Sequence, residues 1–280
     1  MKQTIFIALA VFASLCNAQA AESSLYEDLG GVHSIAAAVD AAYDLEAKDP
    51  VLLGNQQFKW LVENLPPAAV KFAVTNAIAA HTGGPQKDPY GNFASLQAWL
   101  AFTPEQEARA WELRMKGMSK AGIPTSAQKR LQAWVSAEVG KATAMMPQME
   151  KFDDSMTLYA RLGGIAPIAA VVDTFVNELA ADPVVMANPK VVMSLTKGPA
   201  TGPGIKYLVT EQLAAAAGGP FTYSGRDMKS SHASLMITGK EWDAAAAILV
   251  RVLDQYKVPK KEQAEILAVV GSTRGDIVKK

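Results

Sequence analysis

Three features of the sequence predict an all-α fold that occurs twice along the chain. Apolar residues recur at steps of three and four, which places them on one face of a helix. Glycine pairs at 163–164 and 218–219 interrupt these patterns where the chain must turn. The alternating apolar and polar runs that form half-buried strands are absent from the sequence.

Two segments of the second half show the helical period most clearly. The first segment is predicted to bury one face made of Ile165, Ile168, Val172, Phe175 and Leu179. The second is predicted to bury a face made of Trp242, Ala245, Leu249, Val252 and Tyr256. Pro259 follows the second segment and is expected to end that helix.

The chain also repeats itself. The stretch "SLYEDLGGVHSIAAAVDAAYDLEAKDPVLL", from Ser24, aligns with "TLYARLGGIAPIAAVVDTFVNELAADPVVM", from Thr157. Further on, "KFAVTNAIAAHTGGP", from Lys71, aligns with "KYLVTEQLAAAAGGP", from Lys206. The repeat predicts two domains, at 21–148 and 153–280, joined by a polar, proline-containing link around residues 146–155.

Length and composition favour ordinary globular domains. The chain has 280 residues, half of them hydrophobic, so each predicted domain is long enough to bury a core. It carries 27 basic and 27 acidic residues, which cancel. A neutral chain gives no electrostatic reason to expect nucleic acid or an anionic membrane as a partner.

The first 20 residues are predicted to be a cleaved signal peptide. Lys2 supplies the positive end, residues 5–15 the apolar run, and Ala18 or Ala20 the end of a small-residue cleavage site. The apolar run is too short to span a bilayer, so no transmembrane anchor is expected after cleavage. The mature protein is therefore expected to be periplasmic or secreted. It also lacks cysteine, because Cys16 leaves with the signal, which excludes disulfides and thiolate metal sites.

One histidine distinguishes the two copies. The stretch "GRDMKSSHASLMIT", residues 225–238, aligns with "YGNFASLQAWLAFT", residues 90–103, and sets His232 opposite Gln97. Imidazole is a common iron ligand, whereas an amide is a poor one. Of the other histidines, His33 is expected at the surface and His81 at a helix end. The sequence has no dinucleotide or P-loop fingerprint, no HExxH and no CxxC.

Three stretches together resemble the truncated haemoglobins of group I. They are "LYARLGGIAPIAAVVDTFVNELAADP", "GGPFTYSGRDMKSSHASLMIT" and a helix ending "YKVP", and they cover nearly all of residues 157–280. The resemblance implies a two-over-two helical sandwich with haem b between the helix pairs and His232 as the proximal iron ligand. The first copy matches more weakly, so one haem per chain is expected, in the second domain, beside a degenerate first domain without a proximal histidine.

The resemblance also implies further haem contacts. Met228, Ile237 and Trp242 would line the proximal side and edge, and Arg226 and Lys229 would face the propionates. Core packing and solvated charge are the alternative interpretations of these residue types. On the opposite, distal side of the haem, the predicted contacts are Phe175, Val176, Ile205 and Val209.

The distal set departs from the family, which often has a tyrosine where Val176 stands. Because no distal residue can donate a hydrogen bond, weak oxygen binding is expected unless Thr196 or Thr201 turns inward. In the first copy, Tyr43 occupies the slot of Val176.

Three functions are compatible with this sequence. The first is an exported haem protein that binds a diatomic gas (oxygen, nitric oxide or carbon monoxide) at His232. The second is a haem carrier or sensor with a redox or haem-transfer protein partner. The third is a globin-like protein without a cofactor. Whether the first would also turn over its ligand, as a nitric oxide dioxygenase does, is left open, and no distal acid or base for peroxidase chemistry is visible.

Overall fold

A computed structural model describes residues 23–279, apart from residues 92, 143, 145–156 and 198–201. The predicted signal peptide (1–20) and the predicted link (146–155) lie outside the described residues, as does Thr201, and the side chain of Thr196 is not described either. Every regular element among the described residues is helical, so the predicted all-α class is confirmed.

The helices of the first half precede residue 140. They are α1 (Leu25–Asp28), α2 (Gly31–Glu46), α3 (Pro50–Leu53), α4 (Gln56–Asn64), α5 (Pro67–His81), α6 (Phe93–Leu100), α7 (Pro104–Lys120) and α8 (Thr125–Val139).

The helices of the second half follow residue 157. They are α9 (Leu158–Arg161), α10 (Ile165–Ala181), α11 (Pro183–Met186), α12 (Pro189–Lys197), α13 (Gly202–Ala216), α14 (Met228–His232), α15 (Gly239–Gln255), α16 (Lys260–Ser272) and α17 (Arg274–Ile277). Among the described helices, none combines the length and the apolar character that crossing a bilayer requires.

The helices begin in the same way in both halves. Thr103 caps α7 and Thr238 caps α15, each through a reciprocal capping box with the residue three positions on. Asp49 caps α3 and Asp182 caps α11, and each of these helices starts with proline. The helix order and these caps thus recur in the two halves, and the division into two domains stays a prediction.

The predicted turns and helix faces are largely found. Gly163, Gly164 and Gly218 have φ of 83°, 82° and 85°, a left-handed conformation that favours glycine. The central members of the two predicted faces are core residues: Ile168, Val172, Leu249 and Val252 are each at most 5% exposed. Tyr256 is an exception, because it is 40% exposed and its hydroxyl pairs instead with that of Thr174, at 2.8 Å.

The two halves pack through equivalent helices. Helix α2 lies against α13, and α10 lies against α5, so each half contributes the same pair. At the centre the rings of Phe72 and Tyr207, which occupy equivalent positions, stack at 5.0 Å and 18°. Most of the buried hydrophobic residues of both halves consequently form one cluster, and a smaller, separate cluster lies within the first half.

A buried polar network crosses the same boundary. The Tyr207 hydroxyl donates to Asn76 Oδ1 at 2.8 Å and lies 3.1 Å from Glu211 Oε1. Ser224 donates through N and Oγ to Glu211 Oε2, at 2.7 and 2.6 Å, and Gln86 Nε2 donates to Ser224 Oγ at 3.0 Å. Burial raises the pKa of Glu211, while the bonds from Ser224 and Tyr207 lower it. The network fixes the position of one half relative to the other, because a shift would leave buried polar groups without hydrogen-bond partners.

The expected surface position of His33 is wrong. His33 is half-buried and its ring lies directly against Gly204 at the start of α13. Burial, and secondly the positive charge of Arg226, lower the pKa of His33. The sequence could not predict this contact, because its two residues belong to different halves.

Gly204→Ala is expected to destabilise the protein by about 1–3 kcal/mol, since a Cβ at this position would collide with the His33 ring. Urea unfolding of the full-length chain measures the loss. The matched control is Gly202→Ala, in the same helix, where a Cβ meets nothing within 4 Å. Equal stability of the two variants would contradict the prediction.

Candidate functional site

Helix α14 carries the histidine that the sequence singles out. The helix begins at the cap residue Asp227, whose Oδ1 accepts from Ser230 N at 2.8 Å and whose Oδ2 accepts from Ser230 Oγ at 2.6 Å. The helix ends at His232, five residues later. The imidazole is thus presented at the end of a short helix whose start is fixed by its own side chains.

The backbone sets the tautomer of His232, and burial sets its charge. Its Nδ1 lies 2.9 Å from the carbonyl oxygen of Met228, and because a carbonyl only accepts, Nδ1 carries the hydrogen. Burial lowers the pKa of His232; the Met228 carbonyl opposes this, and the charge of Arg226 adds to it. The ring is therefore neutral at pH 7, with the lone pair on Nε2, the form in which histidine binds a metal.

The segment after His232 is held from two sides. Asn188, in the turn between α11 and α12, donates from Nδ2 to the Leu235 carbonyl at 3.0 Å. The backbone N–H of Lys279 donates to the Ile237 carbonyl at 2.8 Å, and α14 packs against α17. Asn188 was not predicted from the sequence, although Asn55 makes the equivalent bond to Leu100 at 2.9 Å. Asparagine occurs at both of these equivalent positions, and this repetition in the sequence could have indicated its role.

The predicted haem-lining residues fall into three classes of exposure. Val176 is buried in the core, at 4% exposure. Those that are half-buried are Phe175, Ile205, Val209, Met228, Ile237 and Trp242. Arg226 and Lys229 are exposed on either side of Met228. The predicted distal residues lie on α10 and α13, which pack against each other. Their contacts with haem stay predictions.

The first half has a different group in the position of the imidazole. Gln97 on α6 accepts at Oε1 from Arg114 Nη2 at 3.4 Å, and Arg114 Nε donates to Glu46 Oε1 at 2.8 Å. His81 lies elsewhere: its Nε2 is 3.0 Å from Asp88 Oδ2 and its ring stacks on Trp134.

Comparison with known proteins identifies the family of the chain. Residues 157–279 match the family model described as bacterial-like globin. A group 1 truncated haemoglobin of Chlamydomonas moewusii is 32% identical over 145 residues, which cover 50% of this chain and 78% of that protein. The chain belongs to the truncated haemoglobins. It is accordingly a globin-type haem protein, and the resemblance seen in the sequence is confirmed.

The second half of this truncated haemoglobin offers what haem requires. It has a neutral imidazole with Nε2 as the available acceptor, half-buried apolar side chains, and two exposed cations suited to carboxylates. The first half does not fit, because the position equivalent to His232 holds an amide bound to Arg114. The two halves therefore differ in the one group that haem iron needs.

Asn188→Ala is expected to release haem faster than the unmodified truncated haemoglobin, by about fivefold or more, because it removes the anchor of Leu235. Transfer of haem to an excess of apomyoglobin measures the rate. Asn55→Ala is the matched control, since it removes the equivalent bond to Leu100 in the other half. Both variants should lose similar stability, about 1–2 kcal/mol. Equal haem loss from the two would contradict a local role for Asn188.

Proposed function

We propose that this truncated haemoglobin is an exported protein whose second domain, 153–280, binds a diatomic gas at the iron of haem b held by His232. The observation that carries the proposal is the 2.9 Å approach of His232 Nδ1 to the Met228 carbonyl, which leaves Nε2 for iron. Haem held there would supply an iron that binds oxygen, nitric oxide or carbon monoxide.

Three groups on and beside α14 have separate roles in this proposal. His232 holds the iron through Nε2. The Met228 carbonyl fixes the plane of the ring and makes its nitrogen a stronger ligand. Arg226 and Lys229 are exposed and positively charged, so they suit the two propionates.

The distal residues determine which gas is favoured. Val176, Ile205 and Val209 carry no group that donates a hydrogen bond to a ligand. Such a bond stabilises a polar ligand by about 1–3 kcal/mol, or about tenfold to a hundredfold in affinity. Oxygen is the most polar ligand when bound, so its affinity is the one most reduced, whereas carbon monoxide and nitric oxide depend less on a donor.

Substitution of Val176 tests the distal proposal. Val176→Tyr is expected to raise oxygen affinity by about tenfold to a hundredfold and to change carbon monoxide affinity much less. Val176→Phe is the matched control, because it inserts the same ring without the hydroxyl. Gas titration of the reduced, haem-loaded chain measures both affinities. If the two variants bind oxygen equally, the distal proposal is wrong; if the parent chain with bound haem takes up no gas, the proposed function is wrong.

Export is a separate part of the proposal, based on the residues 1–20. Expression of the full chain with its own N-terminus, followed by cell fractionation and N-terminal sequencing, tests it. A mature protein that begins after Ala18 or Ala20 is the expected result. An uncleaved chain in the cytoplasm would contradict it.

A further inference from the structure

The first half contains a cavity, partly open to solvent, that the haem function does not use. It has a volume of about 110 Å³ and lies among α2, α4, α5, α6, α7 and α8. Its walls are mainly aliphatic and aromatic, as Val39, Leu61 and Trp111 illustrate. Cavities of this type accept small apolar molecules: one of roughly 150 Å³ binds benzene.

A phenol group in this cavity has no hydrogen-bond partner in the part of the chain that the structure describes. Tyr43 on α2 is 7% exposed and lines the cavity, and no described group accepts from or donates to its hydroxyl. Lys71, 5.5 Å from the centre of the Tyr43 ring, donates instead to Asp40 and Asp44, each at 2.7 Å. A buried hydroxyl without a partner costs about 1–3 kcal/mol, so its retention calls for an explanation.

The hydroxyl is available as a donor. Burial raises the pKa of Tyr43, against the opposing charge of Lys71, so the group keeps its proton. A second donor lies on the cavity wall, since Gln97 accepts from Arg114 through Oε1 and its NH₂ group is left to donate. Both donors favour a ligand with an acceptor atom.

The charged groups at the cavity compensate one another. Arg114 pairs with Glu46 at 2.8 Å, and the Arg114 guanidinium also lies 5.1 Å from the centre of the Trp111 ring. Lys71 is neutralised by its two aspartates. A charged ligand would find no uncompensated partner, so the cavity suits a neutral one.

Four polar residues of the cavity wall differ from the residues at the equivalent positions of the second half. The first half has Tyr43, Glu46, Gln97 and Arg114, where the second half has Val176, Leu179, His232 and Leu249. Loss of the iron ligand alone would not require the other three changes. The four together give this half polar side chains where three of the four equivalent residues are apolar.

From this arrangement we infer that the first domain binds a small neutral molecule, mainly apolar and of about six heavy atoms, with one acceptor oxygen such as that of a ketone, aldehyde or ester. The acceptor oxygen takes the hydrogen of the Tyr43 hydroxyl, and the Gln97 amide assists. The apolar part fills the space against Leu61 and Trp111. This site is independent of haem at His232.

Cyclopentanone is a suitable probe, and cyclopentane, which lacks the acceptor, is its control. Isothermal titration of the full-length, haem-loaded chain should detect binding of cyclopentanone. Tyr43→Phe should weaken that binding about fivefold to tenfold and leave cyclopentane binding unchanged. This substitution removes one oxygen that has no partner, so the variant should fold at least as well as the parent. The haem spectrum should be unaffected, which separates this test from that of the proposed function.

A second variant tests whether the probes bind in this cavity. Ala42 lines the cavity next to Tyr43, and the second half has Phe175 at the equivalent position. Ala42→Phe should therefore fill the space and abolish the binding of both probes. The inference is overturned if cyclopentanone does not bind the parent chain, or if Tyr43→Phe leaves its binding unchanged. It is also overturned if a His232→Ala chain takes up haem and Ala42→Phe prevents this, because the cavity would then be a haem site.

Discussion

His232→Ala in the full-length chain is expected to lose its haem and remain folded. The parent chain should bind one haem, because His232 is the predicted iron ligand of the second half and Gln97 stands at the equivalent position of the first. Without the imidazole, the chain would lack the predicted ligand for the iron, and haem should be lost during purification. The ratio of haem to protein, with the Soret absorbance, measures the effect.

The variant should fold because the imidazole contributes little to stability. His232 is half-buried, and its described hydrogen bonds are local to α14. The start of that helix is fixed by Asp227 and Ser230. The helical signal in circular dichroism should therefore be unchanged. His81→Ala is the control: its side chain is 46% exposed and pairs with Asp88, so haem content should stay at the parent value.

Two other results would overturn the assignment of a single haem to His232. Two haems per parent chain would mean that the first half also binds haem, with His81 as the suspected ligand. No haem in the parent chain, even after haem is added, would leave a globin-shaped interaction protein. Ready transfer of haem to an acceptor protein would favour a carrier over a gas-binding protein.

Tyr207→Ala is expected to destabilise the whole chain by about 3–5 kcal/mol. The ring is 3% exposed and stacks on Phe72, so its removal leaves a cavity between the halves. The hydroxyl also donates to Asn76, which would lose a buried partner. Urea unfolding followed by circular dichroism measures the loss of stability.

Tyr207→Phe separates the two contributions. It retains the stacked ring and removes only the bonds to Asn76 and Glu211, so a loss of about 1–2 kcal/mol is expected. If Tyr207→Ala costs no more than Tyr207→Phe, the stacking contributes little and the halves are not held together at this point. Haem content should be unchanged in both variants, since Tyr207 lies at the boundary between the halves.

Much of the local structure was determined by the sequence. Helical periodicity predicted the core positions Ile168, Val172 and Leu249, because neighbours on one helix face are set by the 3.6-residue repeat alone. The glycine pairs predicted the turns, because a positive φ is a property of single residues. His232 was found by comparing the two copies, and its motif identified the family.

The interactions between distant segments were decided only by the tertiary structure. Periodicity assigns a residue to a buried face but does not say what covers it. His33 was expected at the surface, but its ring packs against Gly204, which lies in the other half of the chain. The bond from Asn188 to Leu235 likewise depends on segments far apart in sequence, and so does the lack of a partner for the Tyr43 hydroxyl among the described residues. Such contacts follow from how the helices pack, and packing is a property of the whole chain that no local pattern contains.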